Sequence, residues 1–421
     1  MLDIKFIREN KDVVVVGSKK KHIDFDVDKL IFVDDERLKI LKEVEELRSE
    51  INRVSNDIAR DQDPALKIQL IEEMRGVKDE IKIREEKLRE IMKEWYKLML
   101  EVPNIPDMSV PEGENDEQNS EIRTWGEKTS FDFTPKNHIS IMEDLDLADF
   151  ARGTKVSGFR GYFIKNDGAL LFFALWQYFL DYFVKIGYTP MIVPSMVRKE
   201  ALFGTGYLPQ GEQDLYKTQD ENYLAGTAEV ATMSYFSGEI IPKETLPRKF
   251  ITFSPCFRRE AGSHGKDTKG IIRVHEFYKL EQVLLCEASH EISSKLHEEI
   301  TAHVEHLLQE LKLPYRVVVN CGGDLGLGQV KKYDIETWMP SEDKYRETHS
   351  SSYFHDFQTR RLNIRYKDDD GKIKYLHSLN NTAVATSRVP AAILENYQTI
   401  DGKVKIPEVL RNYMGGREYI G

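Results

Sequence analysis

The chain has 421 residues, of which 40% are hydrophobic and 31% are charged, and its formal net charge is −11. This length exceeds one typical hydrophobic core, so we expect two domains in a soluble globular protein. The negative charge excludes a general attraction to nucleic acid, and any such binding must come from local basic patches.

Cysteine spacing and apolar content exclude further classes. Cys256, Cys286 and Cys321 are scattered without metal-ligand spacing, which predicts free thiols and no zinc site. The opening residues MLDIKFIREN contain no secretory signal, and no segment approaches the run of about 18 apolar residues that predicts a membrane span. We therefore expect a cytoplasmic protein without membrane segments.

Two heptad-like patterns indicate a helical arm. Apolar residues recur at spacings of three and four from Val33 to Ile58, Asp61-Gln62-Asp63-Pro64 interrupts them, and a second pattern runs from Leu70 to Leu98. Two such segments predict an antiparallel two-helix coiled coil over about residues 33–99. Each helix would be on the order of 45 Å long. Two functions stay open: dimerisation or spacing, and a projecting arm that binds a large, elongated partner.

The composition changes after the arm. Residues 103–130 are rich in Pro, Asn, Glu and Asp, which predicts a linker between an N-terminal domain (1–102) and a second domain (131–421). There, a strongly apolar helix over 170–184 leads to a strand containing Pro194. Because proline cannot donate in a central strand, we expect this strand at a sheet edge or a subunit boundary. The helix is expected either against a partner chain or in its own domain's core.

The stretch 257–281 has the pattern of an antiparallel hairpin with a long polar tip. Two arginines, two glutamates and an aromatic ring stand on it: Arg258, Arg273, Glu260, Glu281 and Phe277. Guanidinium groups bind phosphate or carboxylate oxygens in fork geometry, carboxylates accept from amines, and a ring stacks on a base. The combination indicates a site that holds a nucleotide while charge develops at a phosphate. A surface hairpin with ordinary salt bridges is the alternative.

Three shorter segments carry further chemistry. Thr227-Ala228-Glu229 ends an apolar strand with a hydroxyl and a carboxylate. Glu347 and Ser350 could supply hard oxygen ligands for Mg²⁺ on a triphosphate, although a polar loop has the same composition. Arg388 follows a turn of small residues at the start of a predicted helix, which suits an anionic group near the helix N-terminus.

Two polar features are interpreted as solvent-exposed. One is the basic cluster Lys19-Lys20-Lys21 near the N-terminus. The other comprises His297, His303 and His306 on a helix predicted from about His290 to Leu311. These histidines do not converge with the cysteines in the manner of zinc ligands.

The order of these elements resembles a known family. The strand containing Pro194, the arginine hairpin and the small-residue turn to Arg388 resemble motifs 1, 2 and 3 of the class II aminoacyl-tRNA synthetases. With the arm and the Thr227-Ala228-Glu229 turn, the chain is similar to the seryl-tRNA synthetase family over nearly its whole length. The matching blocks include MLDIKFIREN, FRREAG, KGIIRVHEF, RETHSSS, DFQTRRLNIRY, LNNTAVATSR and PEVLRNYMGG.

The resemblance implies an α+β fold, in which an antiparallel sheet flanked by helices follows the N-terminal antiparallel two-helix coiled-coil arm. It implies a homodimer formed through the motif 1 region, with ATP and Mg²⁺ as cofactors and no zinc. The implied reaction activates L-serine with ATP to seryl-adenylate and pyrophosphate, and then transfers serine to the 3′ end of tRNA(Ser). Charging of a selenocysteine tRNA is left open.

The resemblance also implies roles at the ATP end. The residues expected to bind ATP are Arg258, Glu260, Arg273, Val274, Phe277, Glu347, Ser350 and Arg388. Arg258 is expected to hold the α-phosphate, while Arg273 and Arg388 hold the γ-phosphate. Phe277 stacks on adenine, and Glu260 accepts from its amino group. Glu347 and Ser350 ligate Mg²⁺, and the residues implied to be catalytic are Arg258, Glu281 and Arg388.

A second set is implied for the amino acid. The residues expected to bind serine are Thr227, Glu229, Arg258, Glu281, Asn380 and Thr382. Thr227 and Glu281 take the ammonium group, while Glu281, Asn380 and Thr382 surround the hydroxyl. Such a pocket discriminates against alanine because its polar groups are left unpaired when alanine binds. Threonine would have to be excluded sterically.

For tRNA, the arm at 33–99 is expected to lie across the long variable arm and to read shape and backbone more than bases. The hairpin tip, with His264, Lys266 and Lys269, is expected to contact the acceptor end. No anticodon-binding domain is expected after residue 421, so we expect the anticodon not to be read.

One departure and two alternatives accompany the resemblance. The two usual glycines of motif 3 are Asn381 and Ala383 here, a variant that some members of the seryl family share.

The missing Cys/His spacing excludes the rarer zinc-dependent form. An amino acid:carrier-protein ligase would lack the long arm and usually needs zinc. A non-catalytic RNA-binding paralogue would be expected to lose Arg258, Arg388 or Glu281, and all three are present.

Overall fold

The computed structural model describes residues 1–60, 63–262, 265 and 267–421. These residues form two compact units. One contains Leu2–Lys19 and Ile23–Pro103, and the other contains Met1, Lys20–His22 and Asn104–Gly421.

The described elements have the following bounds. The helices are α1 (Ile4–Glu9), α2 (Lys11–Lys20), α3 (Val27–Arg60), α4 (Pro64–Glu101), α5 (His138–Asp144), α6 (Phe150–Ser157), α7 (Asn166–Lys185), α8 (Lys199–Thr205), α9 (Glu229–Ser234), α10 (His290–Glu310), α11 (Phe357–Leu362) and α12 (Arg388–Asn396). The strands are β1 (Ser120–Trp125), β2 (Ala148–Asp149), β3 (Phe163–Ile164), β4 (Thr189–Ile192), β5 (Met196–Val197), β6 (Tyr216–Lys217), β7 (Tyr223–Leu224), β8 (Ile240–Ile241), β9 (Arg248–Phe257), β10 (Glu276–Cys286), β11 (Tyr315–Val319), β12 (Lys331–Met339), β13 (Lys344–Tyr353), β14 (Arg365–Lys367), β15 (Ile373–Tyr375), β16 (His377–Ala385), β17 (Val404–Lys405) and β18 (Tyr419–Ile420).

The smaller unit is built on the long helices α3 and α4. The Arg37 guanidinium lies 4.7 Å from the centroid of the Trp95 ring, and farther along α3, Arg48 forms an ion pair of 2.6 Å with Glu85. Because a later residue of α3 meets an earlier residue of α4, the two helices are antiparallel. Apolar residues at helical spacing are buried along α3: Leu30, Val33, Ile40, Val44 and Val54. These contacts confirm the predicted antiparallel two-helix arm.

The break predicted between the two arm helices lies partly outside the described residues, since Asp61 and Gln62 are not among them. Helix α4 begins at Pro64, a position where the missing N–H of proline costs no helical hydrogen bond. The Asp63 side chain caps this helix by accepting a hydrogen bond of 2.9 Å from the backbone N–H of Ala65.

The larger unit contains the main sheet. Among the described residues, eight strands are ordered β1-β11-β12-β13-β16-β10-β9-β4. Neighbouring strands are antiparallel, except that β4 runs parallel to β9. The predicted hairpin is formed by β9 and β10, with Phe257 opposite Glu276. The α+β fold with a large antiparallel sheet is therefore confirmed.

Both edges of this sheet contain segments singled out in the sequence. Strand β4 is an edge strand, as expected, but it ends at Ile192, so Pro194 lies just beyond the strand that was predicted to contain it. At the other edge, β1 lies within the predicted linker 103–130 and pairs with β11. Its residues are mostly exposed, so no hydrophobic alternation marks it as a strand. The domain boundaries at 102 and 130 stay a prediction.

Helices α7, α10 and α12 contribute to the hydrophobic core of this unit. Phe179 and Phe183 of α7 are fully buried there, whereas Phe173 on the same helix is 63% exposed. Helix α7 thus packs in its own domain and also presents apolar side chains outward. No helix among the described residues is both long and apolar enough to cross a membrane.

Side chains along β10 point alternately into the hydrophobic core and to the opposite face of the sheet. Leu280 and Leu284 belong to the core, and Gln282 between them donates a hydrogen bond of 3.1 Å to the Ile300 carbonyl on α10. Lys279 and Glu281 point to the opposite face, because side chains alternate along a strand. That face is the one on which polar residues collect.

Two residues predicted at the surface are buried. His297 Nε2 donates a hydrogen bond of 3.0 Å to the Ser351 carbonyl, and burial lowers the pKa of His297 to about 3. Lys21 donates to three backbone carbonyls, those of Gly326, Leu327 and Gln329. These partners are distant in sequence, so composition alone indicated exposure. The surface interpretation of both residues is wrong.

Candidate active site

A cavity of about 430 Å³ is lined by side chains of β10, β13 and β16, by residues that follow β9, and by the first residue of α12. Every residue predicted to bind ATP, Mg²⁺ or serine lies on its wall. They are Thr227, Glu229, Arg258, Glu260, Arg273, Val274, Phe277, Glu281, Glu347, Ser350, Asn380, Thr382 and Arg388. The antiparallel pairing of β9, β10, β16 and β13 brings together residues that are far apart in the chain.

Of the residues predicted to contact tRNA, the structure describes Lys269, which is not on this wall. Lys269 is exposed beside a neighbouring hollow that Asp267 and Asn137 also line. His264 and Lys266 lie outside the described residues.

Two arginines of the hairpin have different partners. The Nε and Nη2 groups of Arg258 donate to the Gly226 carbonyl at 3.3 Å, and its guanidinium lies 5.2 Å from the centroid of the Phe277 ring. Arg273 forms an ion pair of 2.6 Å with Glu260. Both guanidinium groups therefore stand in the cavity, held by contacts that an anionic ligand could exchange.

The third arginine, Arg388, pairs with Glu347. Its Nη1 lies 3.0 Å from Glu347 Oε2 and donates to the Glu347 carbonyl at 2.7 Å. Removal from bulk water raises the pKa of Glu347, but Arg388 and Lys332 outweigh this effect and hold the pKa below its usual range. Glu347 is thus an ionised carboxylate facing the cavity. Within the described chain, no three His, Cys, Asp or Glu side chains are grouped as metal ligands.

Glu281 is the most deeply buried carboxylate of the predicted serine set, with 2% of its surface exposed. It lies opposite Thr382 on β16, because the register of β10 and β16 shifts between Leu280 and Glu281. Burial raises the pKa of Glu281, while Lys279 and Arg258 act in the opposite direction. The strand pairing thus brings a carboxylate, a hydroxyl and, from the same strand β16, the Asn380 amide onto one wall.

Lys279 was not among the predicted site residues. Its Nζ donates to Thr227 Oγ1 at 3.0 Å and forms an ion pair with Glu281, and the residue is 5% exposed. The signal for it was present: Lys279 precedes Glu281 by two positions on a strand, so both side chains must share one face.

Glu229 is held by two hydrogen bonds. Tyr207 donates to Oε2 at 3.0 Å and the Gln358 amide donates to Oε1 at 2.6 Å. Burial raises the pKa of Glu229, and the bonds from Gln358 and Tyr207 oppose this. Each oxygen of the Glu229 carboxylate therefore has a donor within the protein. The backbone N–H of Glu229 donates to Thr227 Oγ1 at 3.3 Å and supports the turn at Thr227. No local sequence signal marks Tyr207 or Gln358.

The cavity wall therefore carries two chemically distinct sets of groups. Three guanidinium groups can bind the oxygens of a polyphosphate. A buried carboxylate, two hydroxyls and an amide can bind a small molecule that carries an ammonium and a hydroxyl group. Such a cavity can hold two substrates next to each other and stabilise negative charge between them.

Comparisons with known proteins agree with this description. Residues 1–106 match the family model of the seryl-tRNA synthetase N-terminal domain, and residues 215–397 match that of the tRNA synthetase class II core domain (G, H, P, S and T). The chain is 45% identical to the serine–tRNA ligase of Deinococcus radiodurans, covering 100% of this chain and 99% of that protein. It is 44% identical to the serine–tRNA ligase of Carboxydothermus hydrogenoformans, covering 99% and 98%.

A solved structure shares the whole fold. The crystal structure of seryl-tRNA synthetase from Pyrococcus horikoshii complexed with ATP superposes with a TM-score of 0.91 at 40% identity, covering 100% of this chain and 99% of that one. The sequence matches and this superposition each extend over both compact units. The chain therefore belongs to the seryl-tRNA synthetase family of the class II aminoacyl-tRNA synthetases.

Proposed function

We propose that this chain activates L-serine with ATP to form seryl-adenylate and pyrophosphate, and then transfers serine to the 3′ end of tRNA(Ser). The observation that carries the proposal is the single cavity that joins three arginines to the buried carboxylate Glu281. The relatives that match this chain over its full length are serine–tRNA ligases, which supports this function over a carrier-protein ligase or a non-catalytic RNA-binding paralogue. The chain is accordingly an ATP-dependent enzyme.

Amino-acid-dependent ATP–pyrophosphate exchange without tRNA tests the first step. We expect strong exchange with serine and much weaker exchange with threonine, alanine and glycine, because the pocket is built around a hydroxyl group. Exchange that favours alanine or glycine would support a carrier-protein ligase instead. Exchange with none of them would indicate a non-catalytic protein.

At the ATP end, Arg258 binds the α-phosphate, and Arg273 and Arg388 bind the γ-phosphate. Arg273 and Arg388 each contact a carboxylate in the structure, so phosphate binding replaces one anionic partner by another. The exchange avoids the cost of leaving a partly buried charge unpaired. Phe277 provides the surface on which adenine stacks.

Two further residues complete the ATP wall. Glu260 accepts from the adenine amino group, which it can do once Arg273 turns to the phosphate. Val274 is 3% exposed and forms the apolar border of the same wall. Neither assignment involves a group outside the cavity.

Glu347 and Ser350 are the proposed Mg²⁺ ligands. Carboxylate and hydroxyl oxygens are the ligands that Mg²⁺ prefers, and the lowered pKa of Glu347 keeps its carboxylate ionised. These residues fit the ion together with phosphate oxygens. When bound, the ion would neutralise part of the negative charge of the triphosphate.

At the serine end, Thr227 and Glu281 receive the ammonium group, and Glu281, Asn380 and Thr382 surround the hydroxyl. Glu229 contributes by holding the turn that presents Thr227. Arg258 acts by its charge on both Glu281 and Glu347, which supports a second role for it as the partner of the serine carboxylate. All of these side chains line the one cavity, which favours simultaneous binding of both substrates.

The proposed chemistry needs no covalent enzyme intermediate. A serine carboxylate oxygen attacks the α-phosphorus, and a new O–P bond forms while the bond to the bridging oxygen of pyrophosphate breaks. Arg258 stabilises the charge that develops on the α-phosphate oxygens. Catalysis then consists mainly of positioning and charge stabilisation, as is general for phosphoryl-group chemistry.

The second substrate is tRNA. The arm over residues 33–99 is proposed to bind the long variable arm, and the hairpin tip with His264, Lys266 and Lys269 is proposed to meet the acceptor end. Both surfaces would act mainly through shape and backbone contacts. We place the reaction in the cytoplasm, which suits the three free thiols of the chain.

The proposed assembly is a homodimer formed through α7 and the neighbouring edge strand β4. Phe173 on α7 is 63% exposed and Ile192 on β4 is 86% exposed, while α7 and β4 contact each other. Large apolar side chains exposed together at a sheet edge are typical of an interaction surface. A second copy of the chain is the partner that the family resemblance implies.

An aspartate at this surface is expected to dissociate the dimer. Phe173→Asp buries a carboxylate in the proposed interface, so the dimer dissociation constant should rise by about 10²-fold or more. Analytical ultracentrifugation across micromolar concentrations measures this change. Ile400→Asp is the matched control, since Ile400 is 77% exposed but lies in another part of the chain. A wild-type protein that sediments as a monomer would contradict the proposal.

A further inference from the structure

Lys279 makes the contacts that the proposed function assigns to the ammonium group of serine. Its Nζ lies 3.0 Å from Thr227 Oγ1 and forms an ion pair with the Glu281 carboxylate. Both Lys279 and the substrate present a primary ammonium group, R–NH₃⁺. The side chain is 5% exposed and lines the cavity that contains Thr227 and Glu281.

We propose that Lys279 is a positioning residue that occupies the ammonium subsite, keeps Glu281 ionised there, and yields its place to the ammonium group of serine. This inference rests on the proposed function, because it uses the assignment of Thr227 and Glu281 to serine. It adds a residue to that site and explains how a buried carboxylate stays ready for a cationic substrate.

The geometry favours such an exchange. The Lys279 ammonium contacts Glu281 Oε2 directly, and its charge and hydrogen bond both lower the pKa of this carboxyl. The ammonium group of serine can form the same contact with the same oxygen. Replacing one ammonium group by another also leaves the charge beside Glu281 unchanged, and no carboxylate is left unpaired in the interior.

The other groups near Glu281 cannot replace Lys279. Burial raises the pKa of both Cys256 and Tyr207, which keeps these groups neutral, and Glu229 has the same sign of charge as Glu281. Arg258 is the other cation near Glu281 among the described residues, and it is held by the Gly226 carbonyl. Without Lys279, burial therefore favours protonation of the Glu281 carboxyl.

The Lys279→Met variant separates this role from a structural one. Below the pKa of Glu281 the carboxyl of the variant is protonated and must lose its proton to bind serine. The KM for serine in pyrophosphate exchange should then rise by about tenfold for each pH unit below that pKa, whereas the wild-type KM stays flat between about pH 6 and pH 8. The KM for ATP and the rate at saturating serine should change by less than about threefold.

Two further variants make the test decisive. In Lys279→Met/Glu281→Gln the titrating group is gone, so KM should be high at every pH and its slope should vanish. Lys279→Gln keeps a donor for Thr227 but no charge, and serves if the methionine variant does not fold. A uniform rise of KM without a pH slope in the folded single variants would overturn the proposal. Wild-type protein without serine-dependent exchange would instead overturn the function on which it rests.

Discussion

Replacing Arg258 by alanine is expected to abolish serine-dependent ATP–pyrophosphate exchange, with the rate at saturating substrates falling by about 10³-fold or more. The charge of Arg258 lowers the pKa of both Glu281 and Glu347, so we propose that Arg258 lies where the serine carboxylate and the α-phosphate meet. Without its guanidinium group, two anionic reactants approach each other with less positive charge to stabilise them. The loss should appear in the rate of adenylate formation more than in ATP affinity, since Arg273 and Arg388 remain.

The control for this variant is Arg259→Ala. Arg259 is the next residue and is also exposed, but its side chain does not line the cavity. The thermal unfolding midpoint of Arg258→Ala should stay close to that of the wild type, because Arg258 is exposed and the hydrogen bonds of its guanidinium group in the described structure go to one acceptor, the Gly226 carbonyl. A variant that keeps more than a tenth of wild-type exchange would refute the assigned role.

The arm and the hairpin could be predicted from the sequence, because the spacing of nearby residues encodes them. The arm follows from heptad spacing, since Ile40 and Val44 are one helical turn apart and both are buried. The hairpin follows from alternation on β10, where Leu280 enters the core and Glu281 faces the cavity. In both cases the signal is periodic, and the periodicity directly reports which side chains share a face.

Features that depend on strand register could not be derived from spacing. Glu281 and Thr382 are paired across β10 and β16, and a register shift just before Glu281 determines which residue it opposes. The family resemblance supplied that pairing. Lys279 is the opposite example. Strand alternation alone places it beside Glu281, but the family resemblance assigned no role to it.

Buried polar residues were the other source of error. Lys21 was predicted to be solvated with its basic neighbours, yet three backbone carbonyls more than 300 positions away satisfy its ammonium group. Burial without an acidic partner lowers its pKa well below the usual value. A local charge run cannot reveal such a partner set, since the set exists only after the chain has folded.

Deletion of residues 37–95 is expected to leave pyrophosphate exchange within about twofold of the intact chain but to lower tRNA charging by about 10²-fold or more. None of the residues on the cavity wall lies in the deleted segment. The deletion can be closed by a short link, because Arg37 and Trp95 are in contact across the two helices. It keeps the buried residues Leu30 and Val33 at the base of the arm.

Salt dependence distinguishes loss of an RNA-binding surface from a folding defect. Contacts to phosphates release counterions, so the KM of the intact chain for tRNA should rise with salt, and the shortened chain should show a shallower slope. Exchange measured on the same preparation is the internal control, since a folding defect would lower exchange and charging together. If the shortened chain charges tRNA as well as the intact one, the arm does not bind the variable arm and dimerisation or spacing is its function.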